Sequence, residues 1–269
     1  MRTNRRGLFL GGAVGSAMLV SGCAGSGVDA GSGTISGSLR SRHMKGTVGW
    51  TIHRPPGSSA DDRLPVVISL HGRGNSHRTS FTELHLGDVV DALVHDGSRP
   101  FAVASVDGGE HGYWHRRTDG SDSGAMVAHE FVPMLHRRGL DTTRLALFGW
   151  SMGGYGALLL TGKRLVRPRA VAASSPALFT SAGLTSAGSF DSAADFVRND
   201  VYAHPEWERG TPTRIDIGDA DPFVDATRDY TARMRPAPTG GVHPGGHDAD
   251  FWRHWAPAQF AFLARHLAG

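Results

Sequence analysis

The chain has 269 residues, of which 39% are hydrophobic and 20% are charged, values that exclude a wholly disordered protein and predict a buried core. The formal charge of +3 is carried by Arg2, Arg5 and Arg6, because residues 1–22 contain no acid. Without these three, the 28 lysines and arginines fall to 25 and equal the 25 aspartates and glutamates. A basic surface is therefore not expected, and no nucleic-acid partner is predicted.

Residues 1–22 have the pattern of an export signal. Arg5 and Arg6, as in a twin-arginine signal, precede an apolar stretch that is too short and too rich in glycine for a good membrane span. The sequence at 20–23, Val-Ser-Gly-Cys, resembles a bacterial lipobox, in which the cysteine is lipidated and becomes the mature N-terminus. We therefore expect an exported protein, either lipid-anchored through Cys23 at the outer face of the bacterial cytoplasmic membrane or secreted.

Residues 23–40 consist largely of glycine, serine and alanine, a composition that buries too little apolar area to fold. They are predicted to form a flexible tether ahead of a single domain, residues 41–269. Apolar runs in this domain predict strands at 46–54, 64–70, 101–106, 145–148, 169–173 and 214–217. Helical spacing predicts helices at 83–95, 126–137, 155–160 and 251–267. Strands that alternate with helices predict an α/β fold, with a mostly parallel, doubly wound sheet and helices on both faces.

A serine lies at the junction between the strand predicted at 145–148 and the helix predicted after it. It is the centre of Gly-Trp-Ser-Met-Gly at 149–153, and the flanking glycines allow the tight turn that holds a serine hydroxyl beside a base. The pentapeptide alone is a weak signal, because a chain with 37 glycines contains such patterns by chance. Its position between a strand and a helix makes Ser151 a candidate nucleophile.

Further candidate groups follow other predicted strands, because the carboxyl ends of parallel strands gather at one edge of a sheet. The turn at 71–74, after the first buried strand, contains backbone amides that can point at a developing oxyanion. We expect the amides of Arg73 and Met152 to form this oxyanion hole, with Gly72 as the weaker donor. An ordinary turn is the alternative interpretation of this segment.

A carboxylate and a base are predicted further along the chain. Asp221 lies after the strand at 214–217 and is the preferred partner of a catalytic histidine, with Asp219 as its main competitor. His247, in a glycine-rich loop before the last helix, is the preferred base and gives the chain order Ser, Asp, His. His243 is interpreted as a polar residue at the end of a strand. Because no third ligand accompanies the two histidines, no metal site is predicted.

Tryptophans near these motifs are candidates for the wall of a substrate pocket. Trp114 follows a predicted strand, Trp150 precedes the candidate nucleophile, and Trp252 lies shortly after His247. Together with Gly72 they would form an aromatic-walled site, although a place in the core is an equally good interpretation for a tryptophan.

Four motifs taken together resemble those of the putative-esterase family of α/β-hydrolases, which includes esterase D-type carboxylesterases, feruloyl esterases and mycolyltransferases. The motifs are His-Gly-x-Gly at 71–74, Gly-Trp-Ser-Met-Gly-Gly-Tyr-Gly-Ala at 149–157, Gly-x-x-Asp-Pro-Phe at 218–223 and Gly-Gly-His-Asp-x-x-Phe-Trp at 245–252. The resemblance extends from residue 48 to residue 267 and implies an α/β-hydrolase fold. The connection at 179–212 is too short for a large lid domain, so we expect an open site.

By position, the resemblance implies that Ser151 is the nucleophile, Asp221 the acid and His247 the base of an esterase, with the oxyanion hole at Arg73 and Met152. The resemblance does not select the acyl acceptor; we expect hydrolysis, of the small or medium esters that an open site accepts, and no cofactor. An acyltransferase or a serine peptidase on the same fold and an inactive glycan-binding relative are the alternatives. The mycolyltransferases typically carry a cysteine pair, which this chain with its one cysteine lacks. No feature of the sequence indicates the oligomeric state.

Overall fold

The computed structural model describes residues 33–59 and 61–269. The strands of this part are β1 (Gly33–Ser41), β2 (Gly46–Arg54), β3 (Pro65–Leu70), β4 (Ala102–Val106), β5 (Asp141–Trp150), β6 (Val171–Ser174), β7 (Thr213–Gly218) and β8 (Thr239–His243). They form one sheet in the order β1-β2-β4-β3-β5-β6-β7-β8. β1, β2 and β4 pair antiparallel, and every neighbour from β4 to β8 pairs parallel. The predicted mostly parallel sheet is confirmed.

The helices of the same part are α1 (Thr79–Thr82), α2 (Leu86–His95), α3 (Ser123–Met126), α4 (Val132–Arg137), α5 (Met152–Gly162), α6 (Ala193–Asn199), α7 (Val224–Arg233) and α8 (Ala249–Leu267). A wider π-helical turn, Val127–Phe131, joins α3 to α4, so the helix predicted at 126–137 is one continuous helical stretch with an irregular middle. Pro133 follows this turn and lacks the amide that a regular helix would require there.

Alternate residues of the central strands face two different layers of helices. Val66 and Ile68 of β3 pack in a core that includes Leu158 of α5. Val67, between them, packs in a second core with Phe260 of α8. Because side chains alternate along a strand, an uninterrupted apolar run fills both cores.

The domain begins earlier than the sequence predicts, and the predicted boundary of the tether is wrong. Residues 33–40 form most of β1, which pairs with β2 along its whole length. A side chain at Gly37 would collide with the indole of Trp50, so glycine permits close packing between the two strands. Ser36 also hydrogen-bonds to Thr51 across the pair, at 2.8 Å between the hydroxyl oxygens. Cross-strand contacts therefore order a segment whose composition suggested a linker.

The export signal predicted at 1–22, the candidate lipidation site Cys23 and the rest of the predicted tether, residues 24–32, lie outside the described residues. Among the helices that the structure does describe, none has the length and apolar character needed to cross a membrane. The connection between β6 and β7 contains only a short 3-10 turn, Ala182–Leu184, and α6, so no large lid covers the sheet.

Candidate active site

Ser151 occupies a sharp turn between β5 and α5, at the carboxyl edge of the sheet. Its backbone has φ 54° and ψ −119°, a strained conformation for a residue with a side chain. The turn closes because Gly149 and Gly153 have no side chains: a Cβ at Gly149 would collide with the Gly153 carbonyl, and one at Gly153 with the Leu70 carbonyl. The local sequence thus places the hydroxyl of Ser151 at a rigid point on the sheet.

The hydroxyl of Ser151 is the first member of a hydrogen-bonded chain of three side chains. The Ser151 Oγ lies 2.8 Å from the His247 Nε2, and the His247 Nδ1 lies 2.7 Å from the Asp221 Oδ2. A carboxylate only accepts hydrogen bonds, so the Nδ1 carries a proton and the Nε2 is left to accept from the serine. The three candidate residues therefore meet in an arrangement that can remove the serine proton.

Asp221 is fixed by the turn that follows β7. Only 2% of its surface is exposed, and its second carboxylate oxygen accepts a hydrogen bond from the Phe223 amide at 2.9 Å. The ring of Phe223 packs against the His247 imidazole with 5.3 Å between centroids, and Trp252 contacts the same imidazole edge-on at 5.1 Å. These contacts restrict the orientation of the imidazole, because two aromatic rings pack against it and the Asp221 carboxylate bonds its Nδ1.

The competing residues lie elsewhere. Asp219 is exposed and accepts a hydrogen bond from the Gly245 amide at 3.1 Å, without contacting His247. The His243 Nε2 lies 2.9 Å from a carboxylate oxygen of the buried Asp216. Within residues 33–59 and 61–269, no group of three or more histidine, cysteine or carboxylate side chains is placed to hold a metal ion.

The turn at 71–74 contacts the strand-to-helix turn that carries Ser151. Gly72 packs so closely on Trp150 that a Cβ would lie 2.7 Å from the indole nitrogen. Met152 is the first residue of α5, so its amide is among the four that a helix leaves without an internal acceptor. Neither this amide nor that of Arg73 has an acceptor among the described residues. Two backbone donors in these adjoining turns are therefore without a partner in the described part of the chain.

His71 fixes this turn, a role that the sequence reasoning missed. Its Nδ1 donates to the Gly72 carbonyl at 2.8 Å, and its Nε2 accepts from the Gly108 amide at 3.0 Å. Burial lowers the pKa of the imidazole, which is consistent with a neutral ring that uses one nitrogen as donor and one as acceptor. The signal available in the sequence was a histidine directly at the end of a buried strand.

The expected aromatic pocket is only partly present. Trp114 and Trp150 have no exposed surface and belong to the two cores, so the expectation that they line the pocket is wrong. Gly72 is also buried and provides space for the Trp150 indole. Trp252 is partly exposed beside His247 and is the one tryptophan of the expected wall that borders the candidate site.

The segment after β6 is tied to the candidate site by arginines that the sequence reasoning did not single out for this role. The Arg73 guanidinium donates to the Ala187 carbonyl at 2.9 Å. Arg117 donates to the Gly188 carbonyl at 2.9 Å and forms an ion pair with Asp191 at 2.7 Å. These contacts hold the loops that follow β3, β4 and β6 together at the same edge of the sheet.

Residues 41–261 match the protein family described as Putative esterase. The chain belongs to this family. The esterase is therefore a carboxylic ester hydrolase with the α/β-hydrolase fold, and the family resemblance seen in the sequence is confirmed. No match to the esterase is found among curated proteins.

Solved structures of other hydrolases resemble the esterase over nearly the whole described domain. A ferulic acid esterase has a TM-score of 0.76 and 22% identity, with 88% of this chain and 99% of that chain covered. S-formylglutathione hydrolase from Agrobacterium tumefaciens has a TM-score of 0.70 and 18% identity, with 87% and 95% covered. The fluorophosphonate-binding serine hydrolase F of Staphylococcus aureus has a TM-score of 0.72 and 16% identity, with 87% and 99% covered. At such identities the likeness establishes a shared fold.

Proposed function

We propose that the esterase uses Ser151 as a nucleophile in a Ser-His-Asp triad and acts through an acyl-enzyme. The observation that supports this proposal best is the chain of hydrogen bonds from the Ser151 Oγ through His247 to Asp221, at 2.8 Å and 2.7 Å. The Nε2 of His247 takes the serine proton as the Oγ bonds to the ester carbonyl carbon. The Asp221 carboxylate stabilises the imidazolium that forms and keeps the ring in the productive tautomer.

The carbonyl oxygen of the ester becomes an oxyanion in this step. We assign its stabilisation to the amides of Arg73 and Met152, which have no acceptor within the described residues. A single donor of this kind is worth about 3 kcal/mol of transition-state stabilisation. When the tetrahedral intermediate collapses, the bond to the leaving alcohol breaks, and His247 gives its proton to the alcohol oxygen.

Water completes the reaction. His247 takes a proton from water as the water oxygen bonds to the acyl carbon, and it returns that proton to the Ser151 Oγ when the acid leaves. The short connection between β6 and β7 leaves the carboxyl edge of the sheet without a large lid. We therefore propose that water reaches the acyl-enzyme and that small or medium esters are the substrates.

Hydrolysis of p-nitrophenyl esters, from acetate to long acyl chains, tests this assignment. We expect turnover of the short or medium esters, and we expect Ser151→Ala to lower kcat by roughly 10⁴-fold or more with an unchanged melting temperature. A folded Ser151→Ala variant that keeps wild-type turnover would exclude the triad. A folded wild-type protein without turnover on any ester would instead favour transfer to a specific acceptor or the inactive glycan-binding alternative.

We also propose that the esterase is exported and lipid-anchored at Cys23, on the basis of the arginine pair and the lipobox-like sequence at 20–23. Fractionation of cells that produce the wild-type protein or a Cys23→Ala variant tests the anchor. We expect the wild-type protein in the membrane fraction and the variant in the soluble exported fraction. Equal membrane retention of both proteins would contradict lipidation of Cys23.

A further inference from the structure

A cavity lies far from the candidate triad, at the opposite edge of the sheet. It has a volume of about 540 Å³ and is lined by residues 161–168, which contain the end of α5 and the residues after it, and by residues 206–211, which precede β7. Helix α5 starts directly after Ser151 and runs away from it, and its 11 residues span about 16 Å at 1.5 Å per residue. This cavity, which we call the arginine cavity, is therefore separate from the site at Ser151.

Three arginines line the arginine cavity: Arg164, Arg167 and Arg209. Their guanidinium groups form neither an ion pair nor a hydrogen bond within the described residues, whereas Arg117, Arg144 and Arg214 are each paired with an aspartate. One carboxylate, that of Glu206, is also in the lining. It is already engaged by the His204 Nδ1 at 2.9 Å. Arg209 also acts on the Glu206 carboxylate by charge attraction, so the one carboxylate opposes one of the three positive charges and the lining keeps a positive excess.

The backbone shows that one of these arginines occupies an unusual position. Arg164 has φ 57° and lies just past the C-terminus of α5, where glycine is the preferred residue. A side chain in this left-handed conformation costs about 1–2 kcal/mol. The chain nevertheless has an arginine here, which places a guanidinium at the rim of the cavity.

One aromatic side chain, Trp207, is part of the cavity lining, and His204 covers one face of its ring. Trp207 stacks on His204 with 4.5 Å between ring centroids and an interplanar angle of 2°. Val166 and Pro168 add apolar surface to the lining. A cavity of this size falls within the range of about 300–1,000 Å³ that is typical of sites for small molecules. Its chemistry combines guanidinium forks, which pair with carboxylate or phosphate oxygens, with the apolar surface of Val166, Pro168 and the edge of Trp207.

We propose that the arginine cavity binds an acidic saccharide unit, with the carboxylate of the sugar held by Arg164, Arg167 and Arg209. A sugar ring presents both an apolar face for the apolar lining and a projecting carboxylate for the arginines. A flat bilayer surface fits less well, because the charged groups line a concavity. Since the triad lies at the other edge of the sheet, a bound acidic glycan leaves the triad free to act on esters nearby.

Binding of the full-length protein in mild detergent to polygalacturonate, measured by calorimetry at low salt, tests the proposal. The site variant combines Arg164→Gly, Arg167→Ala and Arg209→Ala, where glycine suits the left-handed backbone at 164. The matched control combines Arg40→Ala, Arg137→Ala and Arg265→Ala, which removes the same charge from exposed arginines elsewhere. Hydrolysis of p-nitrophenyl acetate checks that all three proteins are folded.

We expect the site variant to bind polygalacturonate roughly tenfold or more weakly than the wild-type protein, and the control to stay within about twofold, because charged hydrogen bonds are lost only at the cavity. Ester hydrolysis should be unchanged in both variants. Equal loss of binding in both variants would show that binding depends only on the net charge of the protein, and it would overturn the proposal. Absence of wild-type binding, equal binding of neutral dextran, or tighter binding of inorganic phosphate or of anionic phosphatidylglycerol vesicles would also overturn it.

Discussion

Asp221 with His247 and Asp216 with His243 are two pairs of the same residue types at the same corner of the sheet. Asp216 lies in β7 and His243 ends β8, whereas Asp221 lies in the turn after β7 and His247 lies just beyond β8. The hydrogen bond is 2.7 Å long between His247 and Asp221 and 2.9 Å long between His243 and Asp216, so distance does not distinguish the pairs. The residues that surround each pair do distinguish them.

The Asp216 carboxylate is fully buried and has several donors besides His243. Arg214 approaches it at 2.7 Å and 2.9 Å, and Gln259 donates to it at 2.9 Å. The ring of His243 also stacks on Trp255 with 3.6 Å between centroids. The negative charge of Asp216 is thus balanced by Arg214. His243 bonds Asp216 through its Nε2, whereas the Nε2 of His247 faces Ser151.

The Asp221 carboxylate has no arginine or lysine within ion-pair distance in the described part of the chain, and its one charged or chargeable partner is His247. Its negative charge is therefore available to stabilise a positive His247. The proposed base, His247, therefore differs from His243 in two respects: its second nitrogen reaches the Ser151 hydroxyl, and no arginine or lysine of the described residues neutralises its carboxylate.

The largest expected difference between the pairs concerns the histidines. We expect His247→Ala to lower kcat/KM for p-nitrophenyl esters by roughly 10⁴-fold or more, because the proton acceptor of Ser151 is removed. His243→Ala should stay within about threefold of wild type and should lower the melting temperature, since it removes stacking on Trp255. Steady-state kinetics and thermal melts of both variants measure this. A large kinetic loss in His243→Ala without unfolding would abolish the distinction between the pairs.

The aspartates should separate activity from stability. We expect Asp221→Asn to lower kcat by roughly 10³- to 10⁴-fold, because an amide does not stabilise the imidazolium or fix the tautomer. Asp216→Asn should instead destabilise the fold by about 3 kcal/mol, because it leaves Arg214 without its buried counterion. Chemical unfolding together with kinetics distinguishes the two effects. The contrast fails if Asp216→Asn unfolds at the wild-type denaturant concentration.

Glu208 is a third buried carboxyl, and within the described residues it forms no ion pair with a basic side chain. The Tyr230 hydroxyl donates to one of its oxygens at 2.7 Å, and burial raises the pKa of Glu208 to about 8. A pKa raised in the folded state means that its contribution to stability is present below the unfolded value near 4.5 and is lost as pH rises through 8.

We therefore expect the free energy of unfolding to fall by roughly 4 kcal/mol more in the wild-type protein than in Glu208→Gln between pH 5 and pH 9, because about three pH units lie between pH 5 and the raised pKa. The neutral amide does not have to lose a proton, so the free energy of unfolding of the variant should change less with pH. Denaturant unfolding across this pH range measures the difference. Parallel curves for the two proteins would show that Glu208 is ionised in the fold and that burial without a cation does not keep it neutral.

How much of this could be read from the sequence depends on the range of the interactions. The buried strands and the serine turn were predictable because hydrophobic patterning and glycine spacing are local signals. β1 was not, since its order comes from pairing with β2 and from Trp50 lying across Gly37. The glycine- and serine-rich composition of residues 33–40 indicates only that this segment has a weak intrinsic preference for a strand.

The sequence also did not determine whether Trp114 and Trp150 are buried in the core or line the pocket. Both tryptophans lie next to motif residues, and only the packing of distant segments puts their rings into the cores and leaves Trp252 beside His247. The choice between Asp219 and Asp221 depended on the path of one turn, which two-residue spacing does not fix.

The smallest expected effect concerns Asp219, the competitor that the sequence left open. Its exposed carboxylate accepts a hydrogen bond from the Gly245 amide at 3.1 Å, and asparagine retains an oxygen that can accept the same bond. We expect Asp219→Asn to change kcat by less than about twofold and stability by less than about 0.5 kcal/mol. A kinetic loss comparable to that of Asp221→Asn would mean that the turn after β7 rearranges during turnover and presents Asp219 to His247. Because Asp219 and Asp221 are two residues apart in one turn, this pair of variants tests whether the turn keeps a single conformation while the ester reacts.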